Sequence, residues 1–100
     1  MSGTSVATQT LTLQDISFPK KCNVILMNDD VTPMEFVVSL LIELFDHTHG
    51  TAEHCMLSIH ENGKGVAGVY DQEIAEQKAH EASSLSRENG FPLEVDIENA

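Results

Sequence analysis

An apolar strand that runs through an acidic turn into an amphipathic helix, within residues 22–47, limits the fold more than any other feature. The segment CNVILMN (22–28) is rich in aliphatic residues and ends in turn formers, which indicates a strand. Thr32, Pro33 and Glu35 predict the start of a helix at 33–47, with Thr32 as N-cap and a capping box to Glu35. The apolar residues of this helix have the spacing of a helix packed on a sheet, and they are Met34, Val37, Val38, Leu41, Ile42 and Phe45.

The rest of the chain completes the order β-α-α-β-α-β. The further predicted segments are a helix at 52–62, a strand at 65–70, a helix at 72–88 and a strand at 93–97. Thr51 and Asp71 are the predicted caps of these two helices, and Gly63 and Gly90 are their predicted ends. Three amphipathic helices need a common support, so we predict an α+β fold in which a small three-stranded antiparallel sheet carries three helices on one face.

Residues 1–19 are small and polar and show no sustained period, so we predict a flexible N-terminal extension followed by one core domain at 20–100. The net charge of −11, with only five lysines and arginines, argues against nucleic-acid binding. Cys22 and Cys55 are too few for a disulfide framework and fit buried thiols in a reducing compartment. The sequence has no apolar run of about 20 residues and no secretory signal pattern, so we expect a cytoplasmic protein without membrane contact.

The acidic turn leaves two interpretations open on residue types alone. Asn28, Asp29 and Asp30 lie between the strand and the helix, where adjacent carboxylates repel each other unless a positive group is present. Asp29 and Asp30 together with His60 could form a proton-transfer set. Alternatively, the acids only complement the helix N-terminus and His60 only complements a helix C-terminus. The sequence has no nucleophile elbow and no glycine-rich phosphate loop, so a hydrolase or metal enzyme is the least favoured interpretation.

The segment HTHGTAEHC groups three histidines and a cysteine, namely His47, His49, His54 and Cys55. Zinc sites favour spacings such as C-x2-C or H-x3-H, and this segment matches neither. It also spans the connection between two predicted helices. We therefore expect a solvated connector, with no metal and no cofactor.

Four segments resemble the ClpS family of bacterial N-degron adaptors: VILMNDDVTPMEFVV, MLSIHENGKGVAGVY, EIAEQKA and ENGFPLEV. The resemblance extends without a gap from about Lys21 to Ala100. It implies a fold like the C-terminal domain of a ribosomal stalk protein and a binding function without catalysis. Such an adaptor binds proteins that begin with Leu, Phe, Tyr or Trp and hands them to a ClpA- or ClpC-type AAA+ unfoldase that feeds ClpP. A bacterial cytoplasmic protein is implied in preference to one of the plastid stroma, and a monomer is expected.

The resemblance also implies a role for particular residues. The ammonium group of the bound N-terminus would be held by Asn28, Asp29, Asp30 and His60. The first side chain would enter an apolar pocket made of Thr32, Met34, Val37, Met56, Ile59 and Leu93, with Met34 excluding Val and Ile. Glu73 and Lys78 match positions that dock on the unfoldase, although both could simply belong to an exposed charged helix face.

The chain departs from the family pattern in its acidity and at Val31, where an aromatic residue is common. Glu94 and Asp96 follow the predicted pocket residue Leu93, and their charge could favour a basic second residue in the bound chain. The alternative function is a structural interaction domain of the ribosomal-stalk type, which would not need Asn28, Asp29 and His60 to converge.

Overall fold

The computed structural model describes residues 20–100. Its elements are β1 (Lys21–Met27), α1 (Met34–Phe45), α2 (His49–Asn62), β2 (Lys64–Asp71), α3 (Gln72–Glu88) and β3 (Val95–Asn99). The predicted order β-α-α-β-α-β and the α+β class are confirmed. The predicted extension at 1–19 lies outside the described residues. No helix within residues 20–100 has the length and apolarity needed to cross a bilayer.

The sheet has the strand order β2-β1-β3, and both pairs are antiparallel. Central β1 places Cys22, Val24 and Leu26 in the core, as the two-residue period of a strand requires. The pairing of β1 with β2 changes register at one point, since Val24 lies opposite Gly68 and the next residue, Ile25, lies opposite Val66. Ala67 is thus the extra residue of a β-bulge.

One core lies between the sheet and the helices. Helix α1 supplies its largest share through Val37, Leu40, Leu41 and Phe45, all of them buried. Helix α3 contributes the small residues Ala75, Ala82 and Ser86, so it approaches the sheet closely. The apolar stripe predicted for the first helix faces this core except at Met34, which is 44% exposed. All three helices contact the sheet or each other.

The predicted cap of the first helix is wrong. Helix α1 begins at Met34, its N-cap is Pro33, and no side chain caps it. The Thr32 hydroxyl instead donates to the Asp29 carboxylate at 2.8 Å. Asp29 also accepts the Thr32 N–H at 2.6 Å, so Thr32 is held in the turn and the next residue, Pro33, occupies the N-cap position.

The second helix starts three residues earlier than predicted. Thr48, rather than Thr51, is its N-cap, and the two threonines form a reciprocal capping box. Gly63 ends the helix in the left-handed region at φ 88°, as predicted. Asp71 precedes α3 as predicted, but its carboxylate pairs with Lys21 at 2.7 Å and does not cap the helix.

Candidate binding site

The acidic turn at 28–32 is tied to the C-terminal end of α2. The backbone N–H of Asn28 donates to the Gly63 carbonyl at 2.8 Å, and the preceding residue, Met27, pairs with Lys64 in the sheet. The Gly63 N–H in turn donates to Ile59, one residue before His60. The fold therefore brings the turn to the end of the helix that carries His60, although 32 residues separate Asn28 from His60.

Asp29 holds the turn together. One carboxylate oxygen accepts the backbone N–H groups of Val31 and Thr32 at 2.8 and 2.6 Å, and the other accepts the Thr32 hydroxyl. Burial by itself raises the pKa of this carboxyl, but the hydrogen bonds from Thr32 and Val31 and the positive charge of Arg87 outweigh it. The net result is a pKa below the usual range, so Asp29 is an anion at neutral pH.

The other polar residues implied by the resemblance face solvent. Asn28, Asp30 and His60 are exposed, and within residues 20–100 their side chains make no hydrogen bond. Their acceptor atoms are thus available to an incoming donor. Asp29 is different because three of the roughly four acceptor positions of a carboxylate are already used.

The six predicted pocket residues fall into two groups. Val37, Ile59 and Leu93 are at most 7% exposed and belong to the core cluster. Thr32 and Met56 are half-buried, and Met34 is 44% exposed at the first residue of α1. The exposure of the six residues thus ranges from fully buried to exposed. Of the six, Met34 and Met56 line one cavity, and Val37, Ile59 and Leu93 share the core cluster.

Arg87 is a residue of the site region that the sequence reasoning missed. Its guanidinium donates to the carbonyls of Phe91 and Leu93, each at 2.9 Å, and so holds the segment that carries Leu93. Phe91 also packs edge-to-face on Phe36 of α1, with ring centroids 4.8 Å apart. The sequence feature that could have indicated this role is an arginine in the last turn of a helix, because a cation there can donate hydrogen bonds to carbonyls that the helix leaves free. Nothing in the sequence alone indicated that the charge of Arg87 acts on Asp29.

Lys78 occupies a more internal position than a docking residue requires. Its ammonium donates to the Leu44 carbonyl at 2.6 Å, near the end of α1, and lies 5.6 Å from the centre of the Tyr70 ring. The side chain is part-buried, so Lys78 connects α3 to α1 and β2. Glu73, in the first turn of the same helix, is exposed. Of the two predicted docking residues, only Glu73 presents its charge fully to solvent.

The histidine-rich segment does not form a metal centre in the described part of the chain, where no group of three potential ligands comes together. The expectation of a solvated connector is wrong for His47, which is half-buried and donates through Nε2 to the Ala67 carbonyl at 2.7 Å. That carbonyl belongs to the bulge. The Cys55 thiol donates a hydrogen bond to the neighbouring Val66 carbonyl at 3.4 Å. Burial raises the pKa of this thiol. His47 and Cys55 therefore shield part of the outer edge of β2.

Comparison with known proteins gives consistent results. The sequence model of the ATP-dependent Clp protease adaptor protein ClpS matches residues 17–96. The adapter protein ClpS of Campylobacter jejuni (strain RM1221) is 43% identical over 91 residues, which cover 91% of this chain and 95% of that protein. The adapter protein ClpS of Lawsonia intracellularis is 48% identical over 89 residues, covering 88% and 82%.

A solved structure agrees with the fold. ClpS2 of Agrobacterium tumefaciens, bound to L-phenylalaninamide, superposes with a TM-score of 0.80 at 41% identity. The match covers 83% of this chain and 100% of that one. The architecture of three helices on a three-stranded sheet is therefore also that of a solved relative.

Proposed function

This chain belongs to the ClpS family of Clp protease adaptor proteins, and we propose that it binds proteins whose free N-terminal residue is Leu, Phe, Tyr or Trp. The protein is an adaptor of the ATP-dependent Clp protease and not an enzyme. In the proposal it delivers the bound protein to a ClpA- or ClpC-type AAA+ unfoldase, which passes it to ClpP. The bacterial origin of the relatives supports action in the bacterial cytoplasm.

The observation that carries the proposal is the hydrogen bond from Asn28 N–H to the Gly63 carbonyl. It keeps an anionic turn beside the end of the helix that bears His60 and the buried Ile59. Polar acceptors next to apolar side chains suit a ligand that has an ammonium group on one side and a hydrophobic side chain on the other. L-phenylalaninamide, the ligand of the Agrobacterium relative, has these two parts and no carboxylate.

In the proposed complex, Asn28 and His60 accept ammonium hydrogens directly, while Asp29 and Asp30 supply negative charge. An α-amino group has a pKa near 8, so it is mostly charged at neutral pH and offers three N–H donors. His60 accepts only through a neutral ring nitrogen. Asp29 has room for about one further hydrogen bond, since Thr32 and Val31 already occupy the rest of its carboxylate.

Both halves of the ligand contribute to the binding free energy. Burial of a Leu or Phe side chain contributes about 1.5–3 kcal/mol. Each hydrogen bond to the charged ammonium contributes about 1.5–3 kcal/mol. With two or three such bonds the favourable terms sum to at most about 12 kcal/mol, and subtracting an association cost of about 4 kcal/mol leaves a binding free energy of at best about −8 kcal/mol, which corresponds to micromolar binding. Neither half alone reaches this value, so recognition requires both a free terminus and a large apolar first residue.

Delivery requires a surface separate from this site. Glu73, exposed at the start of α3, is our candidate contact with the unfoldase. Lys78 would act mainly by keeping α3 in place, because its ammonium is bonded to the Leu44 carbonyl. In the proposal the protein acts as a monomer, and residues 1–19 are engaged by the unfoldase during transfer.

Titration of four peptides that differ only at the N-terminus tests the binding step. Peptides that begin with Leu or Phe are expected to bind in the micromolar range. A peptide that begins with Val is expected to bind much more weakly, and acetyl-Leu, which lacks the charge and two donors, is expected not to bind. Equal affinity for Leu and acetyl-Leu would refute the proposed recognition. A pull-down of purified ClpA- and ClpC-type unfoldases with the wild type and with Glu73→Gln tests the delivery step.

A further inference from the structure

The third strand leaves one edge of the sheet without a partner. Within residues 20–100, β3 pairs with β1 alone, and the strand order β2-β1-β3 puts its other side at the margin of the sheet. The opposite margin, on β2, is partly covered, because Cys55 and His47 donate to the carbonyls of Val66 and Ala67. An uncovered strand edge can pair with another extended chain. The free edge of β3 is therefore the side of the sheet that is open to such pairing.

The register of β1 and β3 identifies the free backbone groups of this edge. The Ala100 N–H donates to the Lys21 carbonyl, and the Met27 N–H donates to the Glu94 carbonyl. Bonded and non-bonded pairs alternate along an antiparallel ladder, so the even-numbered residues from Glu94 to Ala100 bond to β1. The odd-numbered residues point their N–H and C=O groups away from β1, and these are Val95, Ile97 and Asn99. Within residues 20–100 these groups have no hydrogen-bond partner.

A row of carboxylates lies beside the free edge of β3. Val95 and Ile97 pack against the core. The side chains that alternate to the opposite face of the sheet are all exposed acids, namely Glu94, Asp96 and Glu98. Glu98 lies 3.3 Å from the Lys64 ammonium, but the other two acids form no ion pair in the described part of the chain. The edge thus combines free backbone groups with negative charge that no neighbouring cation neutralises.

The pairing rules of an antiparallel sheet define the chain that fits this edge. Residues directly opposite each other place their side chains on the same face of the sheet. A lysine or arginine opposite Glu94 or Asp96 is attracted, whereas an acid there is repelled. The residues between them would lie beside Val95 and Ile97, which are half-buried, so apolar side chains fit there. A second copy of β3 does not fit, because its own row of acids would face this row.

We propose that the free edge of β3 binds an internal, extended segment of a partner protein in which lysine or arginine alternates with apolar residues. The segment adds to the sheet as a fourth strand, antiparallel to β3. Main-chain hydrogen bonds to Val95, Ile97 and Asn99 supply the attraction, and the row of acids selects the basic residues. This surface does not need a free N-terminus, so the inference goes beyond the proposed function and does not depend on it.

An acetylated peptide tests this edge without an ammonium group that could occupy the proposed N-terminal site. The probe is acetyl-Thr-Lys-Val-Lys-Val-Lys-Thr-amide, titrated into the isotope-labelled full chain and followed by nuclear magnetic resonance. At a free concentration of about nine times the Kd, hydrogen exchange of the Val95, Ile97 and Asn99 amides should slow about tenfold. The amides of the alternate residues should change little, because they already bond to β1. Saturation with L-phenylalaninamide should change the Kd of the probe by less than about twofold, because the two sites are separate.

Two methylated peptides test the predicted pairing. The valines of the probe lie opposite Val95 and Ile97, so their N–H groups face β3, whereas the N–H of the central lysine faces away. Methylation of both valine nitrogens should lower the affinity about tenfold or more, since it removes hydrogen bonds to β3. Methylation of the central lysine nitrogen should lower it less than about threefold.

Two double variants test the row of acids. Glu94→Gln/Asp96→Asn should lower the affinity for the probe about fivefold, because two cross-strand charge pairs are lost. The matched control is Glu43→Gln/Glu53→Gln, which removes the same net charge from exposed residues of α1 and α2. We expect the control to lower the affinity less than about twofold, since solvent and salt screen distant exposed charges. A urea titration of both variants checks that stability is unchanged.

Any of four results would overturn the inference. The first is no slowing of exchange at the Val95, Ile97 and Asn99 amides, and the second is an equal loss of affinity on methylation of valine and of lysine. The third is an equal fall in both double variants, which would assign binding to the overall charge of −11. The fourth is protection of the same amides without the probe, since residues 1–19 or a second copy would then already occupy the edge, and sedimentation would distinguish the two. If L-phenylalaninamide does not bind, the proposed function fails while this inference stands.

Discussion

Replacement of Asp29 by asparagine should separate the two roles that the structure gives this residue. The carboxylate holds the turn through one oxygen that accepts the N–H groups of Val31 and Thr32 and a second oxygen that accepts the Thr32 hydroxyl. An asparagine oxygen can keep both N–H bonds, and its amide nitrogen can donate to the Thr32 hydroxyl instead of accepting from it. The turn should therefore survive while its negative charge disappears.

The expected loss of affinity follows from the same geometry. Asp29 has about one acceptor position left, so at most one hydrogen bond to the ammonium is at stake. A hydrogen bond to a charged group contributes about 1.5–3 kcal/mol, which corresponds to a fall in affinity of roughly 10- to 150-fold. The free energy of unfolding should change by less than about 1 kcal/mol, because the hydrogen bonds of the turn are replaced and not removed.

Titration with a fluorescent peptide that begins with Leu, together with urea unfolding, measures both quantities. The matched control is Asp30→Asn, which removes the same charge one residue away from a side chain that is exposed and unbonded within residues 20–100. We expect Asp30→Asn to lower affinity less than about threefold, since solvent and salt screen an exposed charge. Equal losses in the two variants would show a general field effect and would refute the contact assigned to Asp29.

The pH dependence of stability provides a second measure of the same carboxylate. Its pKa is lower in the folded protein than in the unfolded chain, so the ionised form stabilises the fold above the unfolded pKa of about 4. This contribution is lost as the pH falls through the folded-state pKa. The difference in unfolding free energy between the wild type and Asp29→Asn should therefore shrink as the pH falls from about 5 through the folded-state pKa. A constant difference would contradict the ionic role.

Three further predictions address other parts of the site. Gly65→Ala places a Cβ 2.8 Å from the Ile59 side chain, so it should lower the free energy of unfolding by about 1–3 kcal/mol and weaken the binding of peptides that begin with Leu. In the control Gly50→Ala the nearest atom is 3.9 Å from the added Cβ, so the free energy of unfolding should not fall. Equal stability of the two variants in urea would contradict the prediction. His60→Ala, which removes an acceptor for the ammonium, should lower the affinity for peptides that begin with Leu, and unchanged affinity would exclude His60 as an acceptor. Met34→Ala should admit peptides that begin with Val, and unchanged discrimination would remove Met34 as the gate.

The sequence alone was sufficient to predict the features of the fold that depend on residues close together in the chain. The glycine that ends α2 and the alternation in the last strand depend on neighbouring residues, and both predictions are confirmed. Five of the six residues of the apolar stripe predicted for α1 lie in or against the core, but the sixth, Met34, is 44% exposed. The predicted N-cap of α1, Thr32, is wrong for a reason that the residue preferences of helix starts do not include. Thr32 and Glu35 have capping-box spacing, but Asp29 accepts both the N–H and the hydroxyl of Thr32 and so holds Thr32 in the turn, one residue before the N-cap position at Pro33.

Long-range hydrogen bonds explain most of what the sequence did not reveal. Lys78 reaches the Leu44 carbonyl across 34 residues, and His47 reaches the Ala67 carbonyl across 20. Neither contact leaves a periodic pattern, and the second depends on a β-bulge that shifts the register of one strand pair. Both residues looked exposed or solvated from their sequence context, yet each satisfies a carbonyl that the regular structure leaves without a partner.

The polar part of the proposed site depends on one backbone conformation more than on any side chain. Gly63 has a φ of 88°, which ends α2 and turns its carbonyl toward the N–H of Asn28. A Cβ at Gly63 would meet no atom within 4 Å, so the residue is not there to make space. Its function is conformational, because residues other than glycine adopt positive φ at a cost of about 1 kcal/mol. The distance between the acidic turn and His60 is thus set by the backbone conformation at the C-terminus of α2. The side chains of Asn28 and His60 can contact the same ligand as long as Gly63 keeps this conformation.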